Sequence, residues 1–134
     1  MPVNDPLSPY ATQIGFDMIE ESTERVRASL KVAEKHLNRN RVMHGGAMMG
    51  FADQLGGTLT IANLKPGQNT TTIESKTNFF AAAPLGEVLT GETIPLHRGR
   101  TTIVVQTKVT RADGKLAALV TQTQLVIARE PKAS

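Results

Sequence analysis

The sequence predicts one α+β domain in which an antiparallel six-stranded sheet wraps around a single long central helix. Three observations carry this. Residues Gly45–Ala62 place Ala47, Met48, Met49, Phe51, Ala52, Leu55, Leu59 and Ile61 on nearly all sides of a helix. Two β-patterned stretches precede that helix and four follow it, and glycine or proline breaks separate them. A helix that is apolar all round cannot face water, so the sheet must curl over it. At 134 residues the chain is one domain, able to bury roughly two-thirds of its unfolded surface in a core of its own.

Residues 1–10 hold Pro2, Pro6 and Pro9 with Asn4 and Asp5 between them and read as an N-terminal extension; the domain runs over 11–129 and a short tail over 130–134. The start has neither the charge nor the apolar run of a secretion signal, and no apolar run is long enough for a membrane span, so a cytoplasmic location is the default expectation. Residues 12–20 and 24–32 read as a hairpin turning at 21–23, with Val26, Ala28, Leu30 and Val32 alternating against Arg25, Arg27, Ser29 and Lys31. Residues 33–43 break all periodicity and form a polar loop that delivers the chain to Gly45 and Gly46. The helix stops at Lys65-Pro66-Gly67. Residues 70–80, 87–96, 101–110 and 116–128 are rich in Thr, Val, Ile and Leu and form four further strands. Asp113-Gly114 is a hairpin turn, and Pro95 marks an edge or a bulge.

Composition narrows the chemistry. Four Phe, one Tyr and no Trp give no stacking platform for nucleic acid, and the net charge of +3 is spread along the chain rather than gathered in a stripe. Without Cys there is neither a disulfide framework nor a thiolate nucleophile, and the three His residues lack metal-ligand spacing. The expectation is therefore no metal, no redox cofactor, no nucleic-acid partner and no membrane.

The candidate site starts at His44-Gly45-Gly46. The first four N–H groups of a helix lack internal partners, so this end can hold an anion or a polarised carbonyl. Asp53, two turns further on and set among Phe51, Ala52 and Leu55, is a carboxylate with no cation near it in sequence; a buried carboxylate must be compensated or have a use. Gly46, Gly50, Asp53 and Gly57 share one helix face. Each glycine there costs about 1 kcal/mol relative to Ala, which implies close approach by another backbone or a ligand. Glu74 reads as a solvated strand residue, and Met48, Met49 and Phe51 either shape a pocket or fill the core.

The element order and wrapping resemble the hotdog fold. Asn38-Arg39-Asn40-Arg41-Val42-Met43-His44-Gly45-Gly46 followed by Phe51-Ala52-Asp53 resembles the phenylacetate-degradation (PaaI) type of thioesterase within that superfamily, and the resemblance extends over residues 9–127. It implies hydrolysis of an acyl- or aryl-CoA thioester to free acid and coenzyme A, with no cofactor, since coenzyme A is part of the substrate. It implies that the Gly45 N–H holds the thioester oxygen, that Asp53 is nucleophile or general base, that Asn38 orients the thioester or water, and that Thr72 positions the water. Where the family often has glycine three residues before the histidine, this chain has Arg41.

His44 serves either as a general base or as a cap that orients the loop. Gly46, and the turn Arg98-Gly99-Arg100 whose guanidinium groups suit phosphate oxygens, are the expected coenzyme A contacts, with Arg39 and Arg41 as a second basic pair. Gly46 and Asp53 lie seven residues apart, about 10 Å along a helix axis, whereas reacting atoms must approach to about 3 to 3.5 Å. Donor and carboxylate of one site are therefore expected from two chains of a homodimer, which in the family commonly pairs into a dimer-of-dimers tetramer. The competing functions are a hotdog acyl-thioester hydratase or dehydratase and a non-catalytic acyl-CoA binding module.

Overall fold

A computed structural model describes residues 8–128. In chain order these form α1 (Pro9–Ile14), β1 (Asp17–Glu21), β2 (Val26–Lys31), a short 3₁₀ turn (Glu34–His36), α2 (Gly45–Ala62), β3 (Gln68–Phe79), β4 (Val88–Arg98), β5 (Thr102–Thr110) and β6 (Leu116–Ala128). The six strands make one antiparallel sheet in the order β1-β2-β4-β5-β6-β3, so the chain leaving α2 crosses to the far edge before returning. This is the expected α+β architecture, with one long helix against an antiparallel six-stranded sheet.

Phe51, Leu55 and Leu59 on one face of α2 are fully buried, and the core they join includes Val26, Ala28 and Leu30 of β2, Leu89 of β4 and Val105 and Val109 of β5. Gly91 of β4 makes the close seating possible. A Cβ there would stand 2.5 Å from Leu55 Cδ1 and 3.0 Å from the Phe51 ring. Only the absence of a side chain on β4 lets Phe51 and Leu55 of α2 reach the sheet here.

Two expectations need correction. Residues 12–14 are helical rather than extended: Ser8 caps α1 by accepting the Ala11 N–H at 3.2 Å, Pro9 stands in its first turn, and Gly15 ends it at φ 71°. The cap and the glycine outweigh the β propensity of Thr12 and Ile14. His36 then ties α1 to the entry loop. Its Nδ1 accepts the Ala33 N–H at 2.9 Å, and its Nε2 lies 2.6 Å from the Ile14 carbonyl and donates to it.

Nor is α2 buried all round. Its core face is covered, but Gly46 and Asp53 on the opposite face are exposed. Tyr10 and Ile14 of α1 cover that face at Gly50, where a Cβ would lie 2.8 Å from the Tyr10 hydroxyl, whereas nothing comes within 4 Å of one at Gly57. The proposed N-terminal extension and tail lie largely outside the described residues, and Pro9 and Tyr10 belong to α1.

Register shifts interrupt four of the five strand pairings among the described residues, β2–β4 alone being regular. The register of β4 against β5 shifts between Pro95 and His97, as the proline foreshadows. On β3 the shift falls between Thr72 and Glu74, so Ile73 is the extra residue of a bulge. Because side chains alternate between faces, one extra residue reverses the alternation: Thr70 and Thr72 lie opposite Gln124 and its neighbours on the inner face before the bulge, and Ser75 and Thr77 after it. β3 is an edge strand of 12 residues, and Ile73 and Phe79 on it, with Phe80 just beyond, are more than half exposed.

Gly91→Ala inserts a methyl group into the α2–β4 contact and is expected to lower the unfolding free energy by about 2 kcal/mol. Urea titration should show a lower midpoint with an unchanged slope. A midpoint equal to that of the native chain would mean that the sheet yields at Gly91.

Candidate active site

The start of α2 is organised by His44. With φ −62° and ψ 137° it is the N-cap, and its Nδ1 accepts the Gly46 N–H at 2.8 Å. A neutral ring that accepts at Nδ1 carries its proton on Nε2, so in this tautomer His44 is a cap and a donor, not a base. The His44 N–H donates to the His36 carbonyl at 2.7 Å and the Met43 N–H to that of Ala83 at 2.8 Å, which pins the entry on both sides. Gly46 is thus not the open donor its sequence position promised. The Gly45 N–H, in contrast, has no protein acceptor among the described residues.

A cavity of about 330 Å³ opens beside Gly45, lined by Met43, Met48, Phe79, Phe80 and the three alanines that follow. The Phe79 ring lies 3.2 Å from where a Gly45 Cβ would stand. Met48 serves both core and cavity, while Phe51 belongs to the core alone.

Asn38 holds the entry loop. Its Oδ1 accepts the Asn40 N–H at 2.9 Å and the Val42 N–H at 3.3 Å, which leaves the side-chain NH₂ without a partner among the described residues. Arg41 sits at φ 64°, a left-handed conformation that glycine adopts freely and a side chain resists. This accounts for the family's glycine at that place. Arg41 is anchored by a two-pronged pair with Glu34 at 2.7 and 3.0 Å, and its hydrogen bonds and charge hold the Glu34 carboxyl below its ordinary value.

Asp53 is exposed in the single chain, so its compensation is local rather than the product of burial. Thr72 Oγ1 lies 3.2 Å from Asp53 Oδ1, and Gln122 Nε2 lies 3.1 Å from the same oxygen. Behind them Gln124 Nε2 reaches Thr72 Oγ1 at 2.7 Å and Gln122 Oε1 at 3.1 Å. No hydrogen bond reaches Asp53 Oδ2 among the described residues.

The sequence reading missed Gln122 and Gln124, though a signal was present. They interrupt an otherwise apolar face of β6 made by Ala118 and Val120, all four being buried. It also missed Gly56, where a Cβ would stand 2.0 Å from Gln122 Oε1.

Arg98, Gly99 and Arg100 lie at the other end of α2. With Asn63, Lys65, Gln68, Ile103 and Val126 they line a cavity of about 420 Å³. The Arg98 guanidinium is paired with Glu24, and the Gly99 N–H donates to the Thr102 carbonyl at 2.8 Å, so neither is free as expected. Arg100 and Lys65 form no ion pair among the described residues. The fold therefore brings Asp53 and Thr72 together, gathers His44, Gly45, Gly46 and Asn38 at the start of α2, and leaves the arginine turn apart from both.

This geometry agrees with what the chain is similar to. The thioesterase superfamily profile matches residues 40–118, which span the end of the entry loop, α2, β3, β4, β5 and the start of β6. A Deinococcus radiodurans protein named as a candidate esterase is 32% identical over 111 residues, covering 82% of this chain and 73% of its own. A Streptococcus mutans protein, solved with acetyl-CoA bound to it, superposes with a TM-score of 0.83 at 27% identity, over 97% of this chain and 98% of its own. The Escherichia coli PaaI protein of the phenylacetic acid degradation operon shares the fold, with a TM-score of 0.83 at 20% identity over 91% of this chain and 86% of its own. The chain belongs to the thioesterase superfamily, and it is an enzyme of the thioesterase class. No helix among its described residues is long and apolar enough to cross a membrane.

His44→Ala removes the cap and is expected to cost about 1 kcal/mol of stability by urea titration, with His44→Asn recovering most of it. An unchanged midpoint in His44→Ala would show that the ring contributes nothing as a cap.

Proposed function

We propose that the protein hydrolyses an acyl- or aryl-CoA thioester to the free acid and coenzyme A, in the manner of the PaaI-type enzymes. The observation that carries this is the pairing of an unpartnered Gly45 N–H at the start of α2 with an Asp53 carboxylate that two side chains grip by one oxygen alone. The first is a donor suited to a developing oxyanion, and the second offers a free oxygen as nucleophile or general base. The acetyl-CoA bound to the S. mutans relative supports coenzyme A as the carrier.

One chain does not suffice for the proposed site. Gly45 and Asp53 are eight residues apart on one helix, about 12 Å along its axis, which no aspartate side chain spans. The exposed helix face at Gly46 and Asp53 and the long edge strand β3 support a homodimer in which Gly45 of one protomer meets Asp53 of its partner. The 330 Å³ cavity beside Gly45 then receives the apolar acyl or aryl group. The basic cavity begins at Asn63, ten residues beyond Asp53 and so about 15 Å along α2, a span suited to an extended pantetheine arm. Lys65 and Arg100, which form no ion pair among the described residues, are the cations of this cavity that would meet the coenzyme A phosphates. Thr72 fixes the carboxylate, and Asn38 offers its free NH₂ to the substrate. A pairing of these dimers into tetramers is the corresponding assembly.

The test is free thiol release from a panel of aliphatic and aryl-CoA thioesters by the native chain and by Asp53→Ala. Turnover by the native chain, with a loss of at least about 100-fold in kcat for Asp53→Ala, is expected. Equal rates for the two would remove Asp53 from the chemistry, and no turnover of any thioester would overturn the reading.

A further inference from the structure

The charge of Asp53 fixes the direction of every hydrogen bond behind it. An ionised carboxylate only accepts, so the Gln122 atom facing Asp53 Oδ1 at 3.1 Å must be the NH₂ group. Gln122 Oε1 is thereby turned to Gln124, 3.1 Å away, which must present its own NH₂. That same NH₂ lies 2.7 Å from Thr72 Oγ1, so the threonine accepts from Gln124 and its one proton goes to Asp53 Oδ1. The ring closes there, and beside it the one proton of Thr70 Oγ1 has two acceptors in reach, the Leu125 carbonyl at 3.0 Å and Gln124 Oε1 at 3.1 Å. Both donors to the carboxylate thus converge on Oδ1.

Two fully buried glutamines on a sheet face that otherwise carries alanine and valine are costly unless each polar atom is satisfied, and here the satisfaction runs through Asp53. The fold accommodates the ring at two places. Gly56 has no side chain where Gln122 passes over α2, since a Cβ would lie 2.0 Å from Oε1. The bulge at Ile73 lets Thr72 and Ser75 both face the glutamines.

We propose that Gln122 and Gln124 are positioning residues for the hydrolytic step, acting through Asp53 and Thr72 so that Asp53 Oδ2 is the reacting oxygen. This rests on the thioesterase reading of the same site. The glutamines touch no substrate. They hold Asp53 Oδ1 from behind and orient the Thr72 proton toward it, which leaves Thr72 a donor to the carboxylate rather than an acceptor of the water's proton.

The test is a double-mutant cycle of Gln122→Met with Asp53→Ala, read as kcat and KM on the best CoA thioester, together with a crystal structure of Gln122→Met. Methionine keeps the length of the side chain and deletes the donor. Loss of Gln122 is expected to lower kcat on the order of 100-fold, because misplacing a reacting group by an ångström costs about that much. KM should stay within about twofold, and in the Asp53→Ala background the second substitution should change the residual rate by less than about twofold. Gly56→Ala, which pushes Gln122 aside while favouring the helix, should lower kcat in the same way and guards against a Gln122→Met chain that does not fold.

An unchanged kcat, or an equal loss with and without Asp53, overturns the proposal. If the native chain hydrolyses no thioester, the functional reading has failed on its own, and the crystal structure still decides the positioning role. A displaced Asp53 carboxylate sustains that role, and a carboxylate in its native seat overturns it.

Discussion

The seating of α2 in the trough of the sheet, with Phe51 and Leu55 against Gly91 and with Gly56 against Gln122, is the contact from which the rest of the structure follows. Apolar burial on that face supplies the driving force, and two glycines, one on the strand and one on the helix, set the distance. With the helix drawn this close, the opposite face is left open, and Asp53 is carried on it at mid-length. The hydrogen bonds from Thr72 and Gln122 are within reach because the helix backbone lies nearly against β6. A wider gap would keep the fold and lose the grip on the carboxylate.

The same helix separates the proposed chemical parts. Its N-terminal end presents the Gly45 N–H and the apolar cavity, its middle presents Asp53, and beyond its C-terminal end lies the basic cavity with Lys65 and Arg100. A rigid rod of 18 residues is about 27 Å long, so parts fixed along it cannot meet within one chain. The proposed two-fold pairing resolves this by bringing the start of one rod beside the middle of another. The proposed active site is then also an interface, and its assembly is coupled to association of the chains.

Much of this was legible in the sequence. The bounds of α2 were set by His44-Gly45 and by Pro66-Gly67, and those of β6 by Asp113-Gly114 and the run of β-formers that follows; both elements match. Asp53 stood out because the residues around it are apolar. What was not legible depended on partners remote in sequence. Ala, Gly and Met on all sides of α2 conceal which face the sheet takes, so Asp53 was expected in a buried setting that the structure does not give it. Gly56 and Gly57 are adjacent, and only packing reveals that Gly56 carries the close approach. Gln122 and Gln124 alternate with Thr121 and Thr123, so either face of β6 could be read as the polar one until β3 pairs with it. The helix α1 was hidden in a proline-rich start whose Ser8-Pro9 cap is a two-residue signal.

The most direct test of the shared site mixes two inactive variants. Gly45→Pro deletes the N–H at the first helical position, where proline is well tolerated and the extended His44 before it is compatible with a following proline. Asp53→Ala deletes the carboxylate. Refolded together from urea in equal amounts, the two should form heterodimers in about half of the population, each with one intact site, and recover about a quarter of native thioesterase activity. A mixture as inactive as its components would contradict a site built from Gly45 of one protomer and Asp53 of the other.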